Sequence, residues 1–382
     1  MRKKICFVVT LAGTFKAFLL DLSNYLIDEH DYDVTVVCDA DDSMKELTGE
    51  HLHFTPVKMK RGFSLDGLSA ISHLYKVFKQ ERFEIVQYST RNAGTYASIA
   101  AWMAGIKCRL YCQWGMMFVA LKGFKRFLLW LDEKIITRLS TVIESESFSM
   151  YNESIKRGIY TAEKASVIWN GSACGVNLPK YEISKREIWR DEIREKYGIG
   201  RDTFVFGYCG RITRDKGMNE LFASFREVIK ERSAYLMIIG AYDNPKTIDQ
   251  ELFAWAKECP QVIFTGRVSD VARYYSALDV FVSLSYREGF GLVVIEAAAM
   301  GVPGIVSDAL GQRDTIENQV TGLSVPTKNV EKVIEAMITC IDNPDKVKGM
   351  GIDARKCVEN KYDQRELFKR LAEHRDRLIT GE

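Results

Sequence analysis

Val280-Phe281-Val282-Ser283-Leu284 and, after four intervening residues, Gly289-Phe290-Gly291-Leu292-Val293-Val294-Ile295-Glu296-Ala297 read as a buried strand, a glycine turn and a helix start. Two glycines let the backbone approach a ligand closely. The free N–H groups at a helix start, with the helix dipole, favour phosphate. Glu288 stands at the mouth of the turn. Glu296, one to two turns into the helix, suits two vicinal hydroxyls of the kind a ribose presents. Two glutamates bracketing such a turn are far more specific than two glutamates alone.

The same grammar runs outward through the chain. Strands are expected at 205–208, 234–239, 262–265, 280–284 and 304–307, and in the first half at 5–9, 34–38, 85–88, 109–112 and 141–144. Amphipathic stretches such as 16–28 and 65–80 separate them. The turn-rich interval 170–177 marks a junction. The expected division is therefore residues 1–172, residues 173–362, and a charged closing helix in 363–382 that packs back across the junction. The fold class is α/β, with two doubly wound, Rossmann-like domains facing a cleft. Ligands of such sheets bind beyond the carboxyl ends of the strands. Two further segments stand there. Gly210-Arg211-Ile212-Thr213-Arg214-Asp215-Lys216-Gly217 offers Arg211 and Lys216 to a leaving diphosphate. Leu11-Ala12-Gly13-Thr14 is a small-residue loop able to press amides onto a phosphate, or equally a tight structural turn.

Composition narrows the class. The chain has 382 residues, 47% hydrophobic and 27% charged, with a net charge of +2, which suits a globular protein and not a nucleic-acid binder. Its nine cysteines form no CxxC pair, as expected of a reduced intracellular protein. His51 and His53 read as strand or loop residues, not as half of a metal site. The basic start and the short apolar run after it read as a first strand, not a leader. No apolar run is long enough to span a bilayer, so a cytoplasmic protein is expected, peripheral on the inner face of the plasma membrane at most.

The pattern GRxxxxKG at 210–217 followed by EGFGxxxxEA at 288–297 resembles the retaining glycosyltransferases of family 4, which have the GT-B fold. The resemblance extends to Asn170-Gly171, Gly266-Arg267-Val268 and Gly301-Val302-Pro303. The words Ser285-Tyr286-Arg287-Glu288 and Gly311-Gln312-Arg313-Asp314 look like bacterial members that build capsule, O-antigen or lipid-linked oligosaccharide. The resemblance implies a nucleotide-sugar donor, UDP in the first place, and a glycan or polyprenyl-diphosphate acceptor. It implies that Arg211 and Lys216 hold the donor diphosphate, and that Glu288 positions the transferred sugar. By the same resemblance Gly210, Gly291, Phe290 and Leu292 offer backbone, Glu296 holds the ribose, Arg267 and Val268 meet the base, and Gly13 faces phosphate. With cations at the diphosphate, no metal or other cofactor is required. Many members carry a cleft histidine in the first domain. Here that stretch is Tyr111-Cys112-Gln113-Trp114-Gly115, which makes Gln113 and Trp114 candidates for its place.

Rival readings leave more unexplained. Asp39-Ala40-Asp41 imitates the metal-binding DxD of the GT-A transferases, but it falls early and ignores the second half. No GxGxxG supports a dinucleotide oxidoreductase. A UDP-sugar epimerase needs another acid–base set, and a catalytically inactive scaffold would not need Arg211, Lys216, Glu288 and Glu296 all in place. For the acceptor, Lys122, Lys125 and Arg126 interleave with large apolar residues, as does the weaker stretch 58–63. The favoured reading is a helix burying Phe127, Leu128 and Leu131; the other is a helix lying on an anionic membrane beside a lipid-linked acceptor.

Overall fold

Strand runs buried on both faces are apolar throughout, and such runs build parallel sheets covered by helices. The computed structural model describes residues 2–59, 66–241 and 245–381. It divides into two units, Met1–Cys174 with Arg365–Glu382, and Gly175–Gln364.

The first unit holds seven parallel strands: β1 (Lys3–Val8), β2 (Tyr32–Cys38), β3 (Leu52–Pro56), β4 (Ile85–Ser89), β5 (Cys108–Gln113), β6 (Val142–Ser145) and β7 (Ala165–Ser166). Their order is β3-β2-β1-β4-β5-β6-β7, so the direction of winding reverses between β1 and β4. The second unit holds six: β8 (Phe204–Cys209), β9 (Ala234–Ile239), β10 (Val262–Gly266), β11 (Val280–Ser283), β12 (Gly304–Ser307) and β13 (Gly322–Val325), in the order β10-β9-β8-β11-β12-β13. Its switch lies between β8 and β11. Successive residues of β8 serve opposite cores: Phe206 joins the cluster under the helices Met218–Val228 and Val330–Asp342, and Val205 joins the one under Leu292–Ala299 and Pro344–Lys361.

Several expectations change. The single helix at 16–28 is two, Ala12–Phe18 and Leu20–His30, because Leu19 leaves the helical region at φ −124° and ψ −15°. The junction falls at Cys174 rather than residue 172, while the closing helix Gln364–Thr380 returns, from Arg365 on, to the first unit. Its anchor is internal. Arg375 donates to Glu144 Oε1 at 3.0 Å and Oε2 at 2.9 Å, and to Gln87 Oε1 at 2.8 Å. The residues at 60–63 of the second basic–apolar stretch lie outside the described residues.

Candidate functional site

The site of the second unit grows out of its switch point. After β8 the chain turns at Gly210, and the Tyr208 hydroxyl donates to the carbonyl of Arg211 at 2.7 Å. This leaves the Arg211 side chain exposed. Thr213 Oγ1 donates to Asp215 Oδ1 at 2.6 Å, which fixes the short turn carrying Lys216. Burial alone would raise the Asp215 carboxyl, but Thr213 and the cations Arg287, Lys216 and Arg211 hold it below the usual carboxylate range. Gly217 then caps the turn at φ +74°. A Cβ there would clash with the Leu284 carbonyl oxygen, so only glycine lets the basic loop lie against the end of β11.

The loop after β11 supplies the acid. Tyr286 N–H donates to the Asp215 carbonyl at 2.9 Å, joining the two loops through backbone. Lys216 Nζ donates to Glu288 Oε1, and Ser285 Oγ donates to the same oxygen at 2.7 Å. Residues 72 apart in sequence therefore form one ion pair. Behind them Ser307 Oγ donates to the Ser285 carbonyl at 2.6 Å, and Gln312 Nε2 donates to Ser307 Oγ at 3.1 Å and to the Ser283 carbonyl. Gly291, at φ +102°, opens the helix Leu292–Ala299, whose first N–H groups have no acceptor within the helix. On that helix, Glu296 accepts from the Tyr275 hydroxyl at 3.3 Å. Burial raises its carboxyl, and the hydroxyls of Tyr275 and Tyr181 offset this only in part. Arg267 is exposed and Val268 half-buried, on an open groove of about 450 Å³ that Lys196 and Tyr274 also line.

Other expected site residues stand differently. The Phe290 ring is 2% exposed and packs edge-on to Tyr362 at 5.3 Å between ring centres, which leaves the residue only the backbone role that the resemblance implies for it. Gly13 lies inside the helix Ala12–Phe18, with open space where a Cβ would be, and nothing there requires glycine. Gln113 is fully buried and cannot touch an acceptor. Its Nε2 donates to Glu133 Oε1 at 2.7 Å, and its Oε1 accepts from Tyr160 at 3.0 Å and Ser154 at 3.2 Å. Tyr111 also donates to Glu133, whose burial pushes its carboxyl up to about 7. Trp114 is half-buried against Phe18, with ring centres 5.2 Å apart. Asp41 Oδ1 accepts the Ser43 N–H at 3.0 Å, and Asp39 Oδ1 accepts that of Ala40 at 3.1 Å; both serve the local turn.

The expectation that Phe127 and Leu131 are buried is overturned. On the helix Gly123–Leu139 Phe124 is 73% exposed, Phe127 52% and Leu131 40%, with Leu128 half-buried. The rings of Phe124, Phe127 and Trp130 stack in file, at 6.4 and 6.0 Å. The inward face is instead polar: Asp132, 4% exposed, takes Arg91 Nε at 2.8 Å and Thr95 Oγ1 at 2.8 Å, beside buried Glu133. Hydrogen bonding of two carboxylates fixes this helix, and its apolar rings are turned outward. Lys122, Lys125 and Arg126 are exposed at the same end. Among the described residues no helix is long and apolar enough to cross a membrane.

Two doubly wound sheets, the second with a cation–carboxylate pair beside a glycine-opened helix, are the features that the sequence resemblance to glycosyltransferases implies. The sequence profile of "Glycosyl transferases group 1" matches residues 190–357, and that of "Glycosyl transferase 4-like" matches residues 4–144. The capsular polysaccharide biosynthesis glycosyltransferase CapM of Staphylococcus aureus is 32% identical over 89% of this chain and 88% of its own. The UDP-Gal:alpha-D-GlcNAc-diphosphoundecaprenol alpha-1,3-galactosyltransferase of Escherichia coli is 25% identical over 93% and 90%. Among solved structures, a Rickettsia africae glycosyltransferase superposes with a TM-score of 0.81 at 20% identity over the full length of both chains. HepE of Anabaena, in complex with UDP and glucose, superposes at 0.78 and 18% identity over 98% and 100%. The chain belongs to the group 1 glycosyl transferases: it is a glycosyltransferase, with the GT-B fold that the sequence resemblance implies.

Proposed function

We propose that this enzyme moves a sugar from a UDP-sugar, with retention of anomeric configuration, to a polyprenyl-diphosphate-linked glycan in the synthesis of a cell-surface polysaccharide. The observation that carries the reading is the meeting of Lys216 and Glu288 at the mouth of the Gly291 turn, with Glu296 on the helix that follows. The names of the relatives point the same way: one concerns capsule synthesis, and another a UDP-Gal donor with a diphosphoundecaprenol acceptor. In this mechanism Arg211 and Lys216 stabilise the departing diphosphate as its charge grows. Glu288 accepts from the hydroxyls of the transferred sugar, and Glu296 from those of the ribose. In a same-face displacement the departing phosphate oxygen takes the proton of the acceptor hydroxyl, so no strong general base is needed. Because two side-chain cations supply the positive charge, metal independence is part of the proposal.

Calorimetric titration of UDP, GDP, ADP and CMP in EDTA tests it. UDP is expected to bind, and Glu296→Ala to weaken it about 10- to 100-fold, the value of hydrogen bonds to a charged group. Affinity should rise with pH through the raised titration of Glu296, because only the carboxylate accepts from both ribose hydroxyls. Binding that requires manganese would shift the reading to Asp39 and Asp41. Silence throughout would mean a scaffold without activity.

Acceptor recruitment is assigned to the outward rings Phe124 and Phe127 and the cations Lys122, Lys125 and Arg126, at an anionic bilayer surface. Replacing the three cations with glutamine should cut co-sedimentation with anionic vesicles, each charge contributing about 1 kcal/mol near such a surface. Unchanged sedimentation would exclude this face.

A further inference from the structure

The cation expected to meet a diphosphate already holds an anion. Lys216 Nζ donates to Glu288 Oε1, and Ser285 Oγ holds that oxygen in place at 2.7 Å. Both side chains are largely covered, at 23% and 20% exposed, so the pair is not a loose surface contact. The two loops are also joined through backbone, by the Tyr286 N–H bond to Asp215 and the close seat of Gly217 on Leu284. A phosphate that docks on Lys216 therefore meets a carboxylate bound to the same ammonium. A second acid, Asp215, accepts from Thr213 at 2.6 Å and faces Arg287 at 3.5 Å, and although Lys216 also acts on its charge, it makes no ion pair with that ammonium.

We propose that Glu288 is a displaceable counter-ion of Lys216 that distinguishes donor from product. The inference rests on the donor-site reading above. In the donor complex, sugar hydroxyls donate to the Glu288 carboxylate, spread its charge and turn it from the ammonium, which passes to the diphosphate. Transfer removes those hydroxyls. It also converts the sugar–oxygen bond into a terminal phosphate oxygen, so the product carries one more negative charge than the donor once the acceptor's proton has reached solvent. The bare carboxylate then repels the more highly charged product and competes with it for Lys216, which weakens product binding. Glu288 thus opposes product binding while supporting donor binding.

The test is titration of UDP (and GDP and ADP) in EDTA into the intact chain, Glu288→Gln and Lys216→Ala, with thermal melting to confirm folding. Glutamine keeps the volume and the acceptor oxygen for Ser285. Glu288→Gln is expected to bind the nucleoside diphosphate about tenfold more tightly than wild type, since a close like charge has been removed, and Lys216→Ala far more weakly. Equal or weaker binding by Glu288→Gln overturns the proposal; if Lys216→Ala has meanwhile lost the nucleotide, the donor-site reading stands without it. A wild-type chain that binds none of the three overturns both.

Discussion

Lys216→Ala is expected to lower nucleoside diphosphate affinity by about 100-fold or more. A hydrogen bond to a charged group contributes about 1.5–3 kcal/mol, and every 1.4 kcal/mol is a factor of ten. The loss exceeds one such bond, because Glu288 is then left beside the phosphates without its counter-ion. On the rate of transfer the effect should be about 100- to 1,000-fold, the usual cost of deleting one donor that meets developing charge. The double variant Lys216→Ala/Glu288→Gln should bind the nucleotide better than Lys216→Ala alone, because the stranded carboxylate has gone. Such non-additivity is what a double-mutant cycle measures. With 23% of its side chain exposed, Lys216 can be truncated without loss of the fold. A variant that keeps its affinity within threefold would remove Lys216 from the phosphate site.

Much of this was legible because glycine and charge carry it locally. The loop Gly210–Gly217 and the turn at Gly291 are marked by residues that only tight backbone explains. Ten strands could be read from their apolar runs. The other three lack that signal: Leu52–Pro56 holds a histidine and a proline with only Leu52 buried, Ala165–Ser166 is two residues long, and Gly322–Val325 lies at a sheet edge. The family resemblance, strongest in the second half, implied which residues hold a donor, but it did not show that Lys216 and Glu288 form an ion pair.

The first unit was harder to read, for a physical reason. In the helix Gly123–Leu139 the rule that apolar side chains face inward is reversed by Asp132 and Glu133, whose partners Arg91, Thr95, Tyr111 and Gln113 come from distant segments. The one sequence signal was two acidic residues in phase with buried Ile136 and Thr137. Gln113 was misread for the same reason, its amide being used up by partners 20 to 47 residues away.

Arg375→Ala should produce the largest loss of stability. Its guanidinium is 1% exposed and spends its donors on Glu144, Gln87 and the carbonyl of Leu371. Removing it leaves Glu144, 7% exposed, with His374 at 2.7 Å and Cys112 Sγ at 3.4 Å as its partners. Breaking a buried pair from one side costs about 3–5 kcal/mol, more than forming the pair gains, because the remaining charge is uncompensated. For a unit of this size that is a fall in Tm of about 6–20 °C. The pH dependence separates this from lost packing. Burial alone would raise Glu144, yet Arg375 and His374 hold it down to about 2, against an ordinary 4.5. A depressed carboxyl contributes stability that is full above its unfolded value, near 4.5, and is lost as pH falls through its folded value, near 2. That contribution, on the order of 3 kcal/mol, shrinks when Arg375 is removed and only His374 is left to hold the carboxylate. The gap between wild type and Arg375→Ala should therefore be widest at pH 7 and narrower at pH 3, by urea unfolding at both. A gap that stays constant with pH would make Arg375 a packing residue only. One below about 1 kcal/mol at pH 7 would deny it the anchoring of the closing helix to β6.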